Sequence, residues 1–320
     1  MKFRCRMVNV IAMRDFTNVV NIISRLTRQC TLRLSPNELC FNVGDDRSSR
    51  VWAELNQQHF FTEYIMHGVT EEQNEIYLKF DATMLAKSLN PLRAIAKSVK
   101  IKLTNKRQPC LTLEIELPSL SIESQQCLHD VPVKVIPRRD WPEYQAPNIL
   151  EFDISVNMPQ LKYVRSIVER MKNMSPRLTL SADKCGMFVL EIDANSATVS
   201  THFQDLQVWS CSQNEDIDKV SATVDIKKFH MFLAWDIVHP DSVKCNILQD
   251  KMVNLYLQLA DYLKIQYFIP SIVVRLGAAE VLFNENPVAA EVVPVVFNEK
   301  PMKDVGMVMQ LHRNYIVSMQ

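Results

Sequence analysis

The chain has 320 residues, 47% of them hydrophobic and 22% charged, the balance of a folded protein long enough for two domains that each bury a core. Its 36 basic and 36 acidic residues cancel, so a surface for a polyanion would have to come from the distribution of charge rather than from a surplus. Only 5 glycines occur where average usage gives about 22, and the GxGxxG dinucleotide loop, the phosphate-cradling P-loop and the GxSxG nucleophile elbow are all excluded.

In chain order, Met1-Lys-Phe-Arg-Cys-Arg alternates charged and apolar residues and lacks the apolar run of a signal peptide. Residues 14–28 place Phe16, Val19, Ile23 and Leu26 on one helical face. Two alternating runs follow, 31–34 and 39–43, about the turn Ser35-Pro36-Asn37, so the unit reads as a helix followed by a β-hairpin. The same arrangement recurs over 81–117: a helical segment with Leu85 and Leu89, a strand at 99–103, a polar turn at 104–108 and a strand at 110–117. Pro91 should kink or restart this second helix, which bears on the placement of Lys97. Residues 130–150 then carry Pro132, Pro137, Pro142 and Pro147, the pattern of an extended connector lying along a surface.

The second half repeats the first. Val19, Ile22, Ile23 and Leu26 correspond to Val164, Ile167, Val168 and Met171 at a shift of 145 (164 − 19), and Leu85 and Leu89 to Phe229 and Leu233 at a shift of 144 (229 − 85). A hairpin at 243–248 and 252–259 closes the fourth unit. The expected organisation is α+β: two similar domains of two helix-plus-hairpin units each, at 1–129 and 151–272, a connector at 130–150 and an extension at 273–320.

The helices share a basic bias. Opposite the apolar stripe of the first stand Arg14, Asn18, Asn21, Arg25 and Arg28, spaced four, three, four and three, with Asp15 falling beside them. The third helix offers Lys162, Arg165, Glu169 and Lys172 in the same arrangement, with Arg170 nearby; Lys87 and Lys97 take the equivalent side of the second, and Lys227 and Lys228 begin the fourth. One such side alone is a solvated face. Four in a neutral chain, with acids gathered elsewhere (Glu71, Glu72, Glu75, Glu114, Glu116, Asp45, Asp46), suit a surface that holds phosphates without reading bases.

Catalytic chemistry finds little support. None of the 8 cysteines forms a CxxC pair, and most sit in strand-like apolar runs, as reduced thiols do in a soluble intracellular protein. No apolar stretch approaches the ~20 residues of a membrane span. The 7 histidines form no HExxH. Cys127, His129 and Asp130 are close in sequence, but a strand entering a proline-rich segment splays them. Glu114 and Glu116 share a strand face, the basis for an alternative reading as a metal-dependent nuclease; their alternation with Leu113, Ile115 and Leu117 is that of a half-buried strand. Neither enzymatic activity nor a cofactor or metal is expected.

Several strings bring a family into view: Met1-Lys-Phe-Arg, Cys30-Thr-Leu-Arg-Leu-Ser-Pro, Asn74-Glu-Ile-Tyr-Leu, Lys100-Ile-Lys-Leu-Thr-Asn-Lys, Pro109-Cys-Leu-Thr, His129-Asp-Val-Pro-Val-Lys-Val-Ile-Pro-Arg, Thr201-His-Phe and Gln266-Tyr-Phe-Ile-Pro. With the duplicated units, they make residues 1–272 resemble the DNA sliding clamps, relatives of proliferating cell nuclear antigen, and among them the Hus subunit (hydroxyurea-sensitive-one) family of the nine-one-one checkpoint clamp. The resemblance implies the sliding-clamp fold, helices on the inner face and sheets on the outer. It implies a 1:1:1 ring with two related subunits around double-stranded DNA without sequence specificity, placed at damage by an ATP-dependent loader. It also implies recruitment of checkpoint and repair proteins, and residence in the nucleus with a cytoplasmic pool and no membrane partner. A homotrimeric replication-type clamp is the other reading within this fold.

The DNA-facing positions carry over to Arg14, Asn18, Arg25, Arg28, Lys87, Lys97, Lys162, Arg165, Lys172 and Lys228, with Arg25 and Arg28 the best matches. The ring contacts carry over to edge strands at 110–117, with Cys110, Leu111, Leu113 and Ile115, and at 196–203, with Thr198, Val199 and His202. The extension holds Val281-Leu-Phe-Asn-Glu and Val295-Val-Phe-Asn-Glu, 14 residues apart: either two copies of a partner-binding peptide or parts of a flexible tail. Residues 310–316 resemble a clamp-binding peptide superficially, with Arg313 where an apolar residue belongs.

Overall fold

A computed structural model describes residues 1–44, 49–93, 96–118, 125–146, 151–194, 197–211, 219–272, 293–294 and 307–312. The chain forms two compact units: Met1–Ile149 with Ala234–Asp241 and Leu257–Tyr267, and Leu150–Leu233 with Ser242–Tyr256 and Phe268–Gln320.

The first unit opens with β1 (Lys2–Met7) and α1 (Val10–Leu26). The helix starts ahead of the apolar periodicity because the Asn9 side chain accepts the Ile11 and Ala12 amides at 2.8 and 3.3 Å, answering two donors that a helix start leaves free. The hairpin follows as β2 (Gln29–Leu34) and β3 (Glu38–Val43), its turn closed where the Ser35 hydroxyl donates to the Glu38 carbonyl and accepts the Glu38 amide. Next come β4 (Arg50–Asn56), α2 (Gln57–Phe60), β5 (Glu63–His67), β6 (Ile76–Asp81) and α3 (Ala82–Leu89). Pro91 stops α3 as expected: without an amide hydrogen it cannot continue the α-ladder, and the chain tightens into a 3-10 turn over Asn90–Arg93. Then follow β7 (Ser98–Asn105), β8 (Pro109–Leu117) and β9 (Gln125–Val135). The strands lie in the order β4-β3-β2-β6-β9-β8-β7-β1-β5. α1 and α3 pack on each other, and Phe16 of α1 meets Phe41, Phe60 and Phe61 with ring centroids about 6 Å apart.

The second half of the chain runs β10 (Ile154–Asn157), α4 (Leu161–Met171), β11 (Arg177–Asp183), β12 (Phe188–Ala194), β13 (Ala197–Phe203), β14 (Val208–Cys211), β15 (Lys219–Asp225) and α5 (Ile226–Phe232). A 3-10 turn over Leu233–Val238 leads to β16 (Ser242–Leu248), β17 (Met252–Leu259) and β18 (Leu263–Pro270). The orders β15-β11-β12-β13 and β14-β10-β16-β17-β18 reproduce β6-β2-β3-β4 and β5-β1-β7-β8-β9 strand for strand. The duplication reaches the helix caps. Asp81 accepts the Thr83 and Met84 amides at the start of α3, and Asp225, 144 positions on (225 − 81), accepts those of Lys227 and Lys228 at the start of α5. The four helix-plus-hairpin units are therefore present. Beyond them lie β19 (Val293–Pro294) and β20 (Met307–His312); the strings at 281–285 and 295–299 fall outside the described residues.

The connector differs from expectation. Residues 130–135 are the end of β9, and Arg138–Tyr144 is a 3-10 helix rather than an extended strip. Proline is compatible with both: Pro132 lies in a strand bonded to β8, and Pro137 caps a helix whose φ it suits. What folds the segment back is Trp141, buried on Tyr77 at a ring separation of 4.7 Å, with its indole N–H donated to the Ile136 carbonyl at 3.1 Å.

Five cysteines, Cys5, Cys30, Cys40, Cys110 and Cys245, are buried as free thiols. Burial alone pushes up Cys30 and Cys245, and it outweighs a backbone hydrogen bond at Cys5, so these side chains stay protonated hydrophobes. Cys127 is half-buried, and Cys185 stands exposed in the turn between β11 and β12.

Candidate nucleic-acid interface

Each helix exists because an apolar stripe packs inward, which leaves its polar side outward. On α1, Arg14 and Arg25 are exposed, and Arg25 sits in the last turn, where a cation complements the helix dipole. Arg14 lies 3.4 Å from the carboxylate of buried Asp15. Arg28 lies past the helix end; its guanidinium is fully outward but donates to Asp81 at 2.8 Å, tying the end of α1 to the cap of α3. Asn18 departs from expectation: it is only 4% exposed. A helix with both a sheet and a second helix against it buries a wide arc, and that arc takes in Asp15, Thr17 and Asn18 as well as the apolar stripe. Lys97 departs too. It follows the 3-10 turn rather than riding on α3, and its amide donates to the Glu116 carbonyl at the start of the β7–β8 ladder. Lys87, by contrast, is exposed on the last turn of α3.

In the second unit, Lys162, Arg165 and Arg170 project from α4 and Lys227 from the first turn of α5, with Lys228 half-buried beside it. Glu169 interrupts this row. It takes Lys172 Nζ at 2.6 Å and the His230 imidazole of α5, and the Lys172 hydrogen bond first, then the His230 charge, holds its carboxyl below the ordinary range. The carboxylate thereby fastens α4 to α5. Arg25, Lys87, Lys162, Arg165, Arg170, Lys227 and Lys228 form no ion pair with another described residue, so their charge is not already answered. Arg25, Lys87, Lys162, Arg165 and Lys228 are among the positions expected from sequence, and Arg170 and Lys227 are added by their exposure; the sequence reading missed His230, because its meeting with Glu169 depends on how two helices pack.

The acids of the sheet are spent differently. Glu114 accepts Lys102 Nζ at 2.7 Å and Glu116 accepts the Ser98 hydroxyl at 2.9 Å, both across the β7–β8 ladder. Asp130 accepts Lys106 and Thr112, and those two hydrogen bonds hold its carboxyl down. Cys127 and His129 share one strand with Asp130, bonded to β8 in register, with no convergence of the three.

Strand edges revise the expected contacts. Residues 110–117 form β8, which is hydrogen-bonded to β7 on one side and β9 on the other, so Cys110, Leu111, Leu113 and Ile115 belong to an interior strand and all four are buried. The edge lies one strand further on: β9 pairs with β8 from Gln125 to Pro132 but meets β6 only through Val133, Lys134 and Val135, and Leu128 on its free part is 58% exposed. The other expected contact, β13 with Thr198, Val199 and His202, is the last strand of β15-β11-β12-β13, and β20 lies along its outer side.

Duplicated units with this strand order, each carrying paired helices, define the sliding-clamp fold. Proliferating cell nuclear antigen from Entamoeba histolytica superposes with a TM-score of 0.63 at 12% identity, covering 85% of this chain and 99% of that one. The antigen from Thermococcus kodakaraensis gives 0.62 at 14%, covering 84% and 99%. The chain belongs to the Hus1-like protein family, whose model matches residues 1–273. Human checkpoint protein HUS1 is 40% identical over 281 residues, 85% of this chain and all of the human one; the Drosophila melanogaster checkpoint protein Hus1-like is 27% identical over 278, covering 85% and 99%.

Proposed function

We propose that this Hus1-like protein is one subunit of a heterotrimeric checkpoint clamp that encircles double-stranded DNA, is loaded at damage by an ATP-dependent loader and serves as a nuclear scaffold for checkpoint signalling and repair proteins. The observation that carries the reading is the set of exposed helix cations, Arg25, Lys87, Lys162, Arg165, Arg170 and Lys227, that no described acid neutralises in a chain of zero net charge. Such cations hold phosphate with affinity that falls as salt rises and with no preference for sequence. The names of the relatives support the checkpoint role, and the sliding-clamp fold supports the ring.

The test is retention on a closed DNA circle by the ring assembled with the two related subunits. Arg25→Glu with Arg165→Glu should leave assembly intact, weaken retention at physiological salt and flatten the log–log salt dependence by about 2, near 0.9 per lost phosphate contact. Unchanged retention would refute the helix assignment. The nuclease reading draws no support from Glu114 and Glu116, which are engaged by Lys102 and Ser98.

A further inference from the structure

We propose that the C-terminal extension of this chain is an intramolecular strand that occupies the β13 edge and must leave before a neighbouring subunit's strand can dock there. The proposal rests on the ring reading above, in which β13 is a subunit contact.

Three observations carry it. β20 runs antiparallel to β13 in unbroken register over six residues, from Thr198 opposite His312 to Phe203 opposite Met307. The extension lies beyond the family match, which ends at residue 273, and the human relative is covered over its full length by 85% of this chain. Among the described residues, β20 meets on its far side only the two-residue β19, where Pro294 faces Gln310. Proline has no amide hydrogen, so the sheet that β20 enlarges ends on a blunted edge, a known device for discouraging further strand pairing.

An open strand edge presents a row of backbone N–H and C=O groups that any strand of suitable register can satisfy. β20 satisfies that row from within the chain, and one row cannot serve two strands. Pairing in cis and pairing in trans are therefore mutually exclusive. Ile272 and Met307 are separated by 34 residues, a reach of roughly 110 Å if fully extended, so the tether leaves β20 able to dock on β13 or stand clear of it. A tethered strand competes at a concentration set by its tether rather than by the amount of protein, which makes the cis form the resting state.

The test uses the full chain with Met309→Pro and Gln310→Pro. Alternate residues of an antiparallel strand donate to the same neighbour, so one of two adjacent prolines removes a donor from the β13 ladder whichever way the strand faces. In the isolated chain, the outward-pointing β13 amides should exchange hydrogen roughly tenfold faster in the variant, with β11 and β12 amides unchanged as the check on folding. Co-expressed with the two related clamp subunits, the variant should enter a 1:1:1 particle at limiting concentration in severalfold higher yield. Equal β13 exchange in the two chains would overturn the proposal without reference to any partner. Faster exchange with unchanged ring yield would overturn the competition. Faster exchange with no ring from either chain would place the failure in the ring reading, and the proposal would fall with it.

Discussion

Asp81 shows how much one side chain can hold. It caps α3 through two backbone amides and receives the Arg28 guanidinium, and Arg28 first, then those amides, keep its carboxyl below the usual range. Replacing it with alanine should cost about 1 kcal/mol in urea unfolding, the usual worth of an N-cap. The pH dependence has a definite sign. Because the folded carboxyl titrates below the unfolded value of about 3.9, its contribution is complete above about pH 4 and is lost as pH falls through the depressed value. The stability gap between the wild type and Asp81→Asn should therefore close below pH 4, and a gap that widened in acid would contradict the assignment. Trp141→Ala should cost more, about 3 kcal/mol, since it empties a buried ring site over Tyr77. Residue identity made Arg28 legible as a cation but not as Asp81's partner, which lies 53 positions away. Asn18 misled for a related reason: a polar residue on the outer side of an isolated helix becomes interior once a second helix lies alongside.

At the scale of elements, the α4–α5 pair separates attraction from repulsion on one surface. Glu169 is the acid among the cations there, so Glu169→Gln in the assembled ring should strengthen DNA retention roughly twofold, whereas Arg165→Gln should weaken it. Movement of both variants in the same direction would show that this side of α4 does not face phosphate. The strands were unequally legible. β2, β3, β7 and β8 alternate cleanly around polar turns and were readable from sequence. β9 was not, because Gln125, Gln126, His129 and Asp130 break the apolar alternation and Pro132 suggested a connector. Those are the residues an exposed strand edge tolerates, so the features that hid β9 are the ones that mark it as an edge. Taking 110–117 for that edge placed the contact one strand too far inward.

For the whole molecule, the duplication governs both fold and behaviour. Shifts of 144 and 145 residues in the apolar pattern reappear as nine strands in one repeated order and as matching aspartate caps, so the duplication and its helix-plus-hairpin units were legible from periodicity, while the clamp fold itself was legible only through the family resemblance. What periodicity could not supply was pairing over long separations, as between β20 and β13. The isolated chain should run as a monomer by light scattering at micromolar concentration, and a stable trimer without partners would instead favour a replication-type clamp. The distribution of thiols also sets how the protein can be observed. Among the described cysteines, Cys185 is the exposed one while five sulfurs are sealed in the core, so of these a maleimide dye at neutral pH should favour the tip of the β11–β12 hairpin. A fluorophore there would travel with the sheet that contains β13, giving a single-molecule distance marker without mutating the polypeptide.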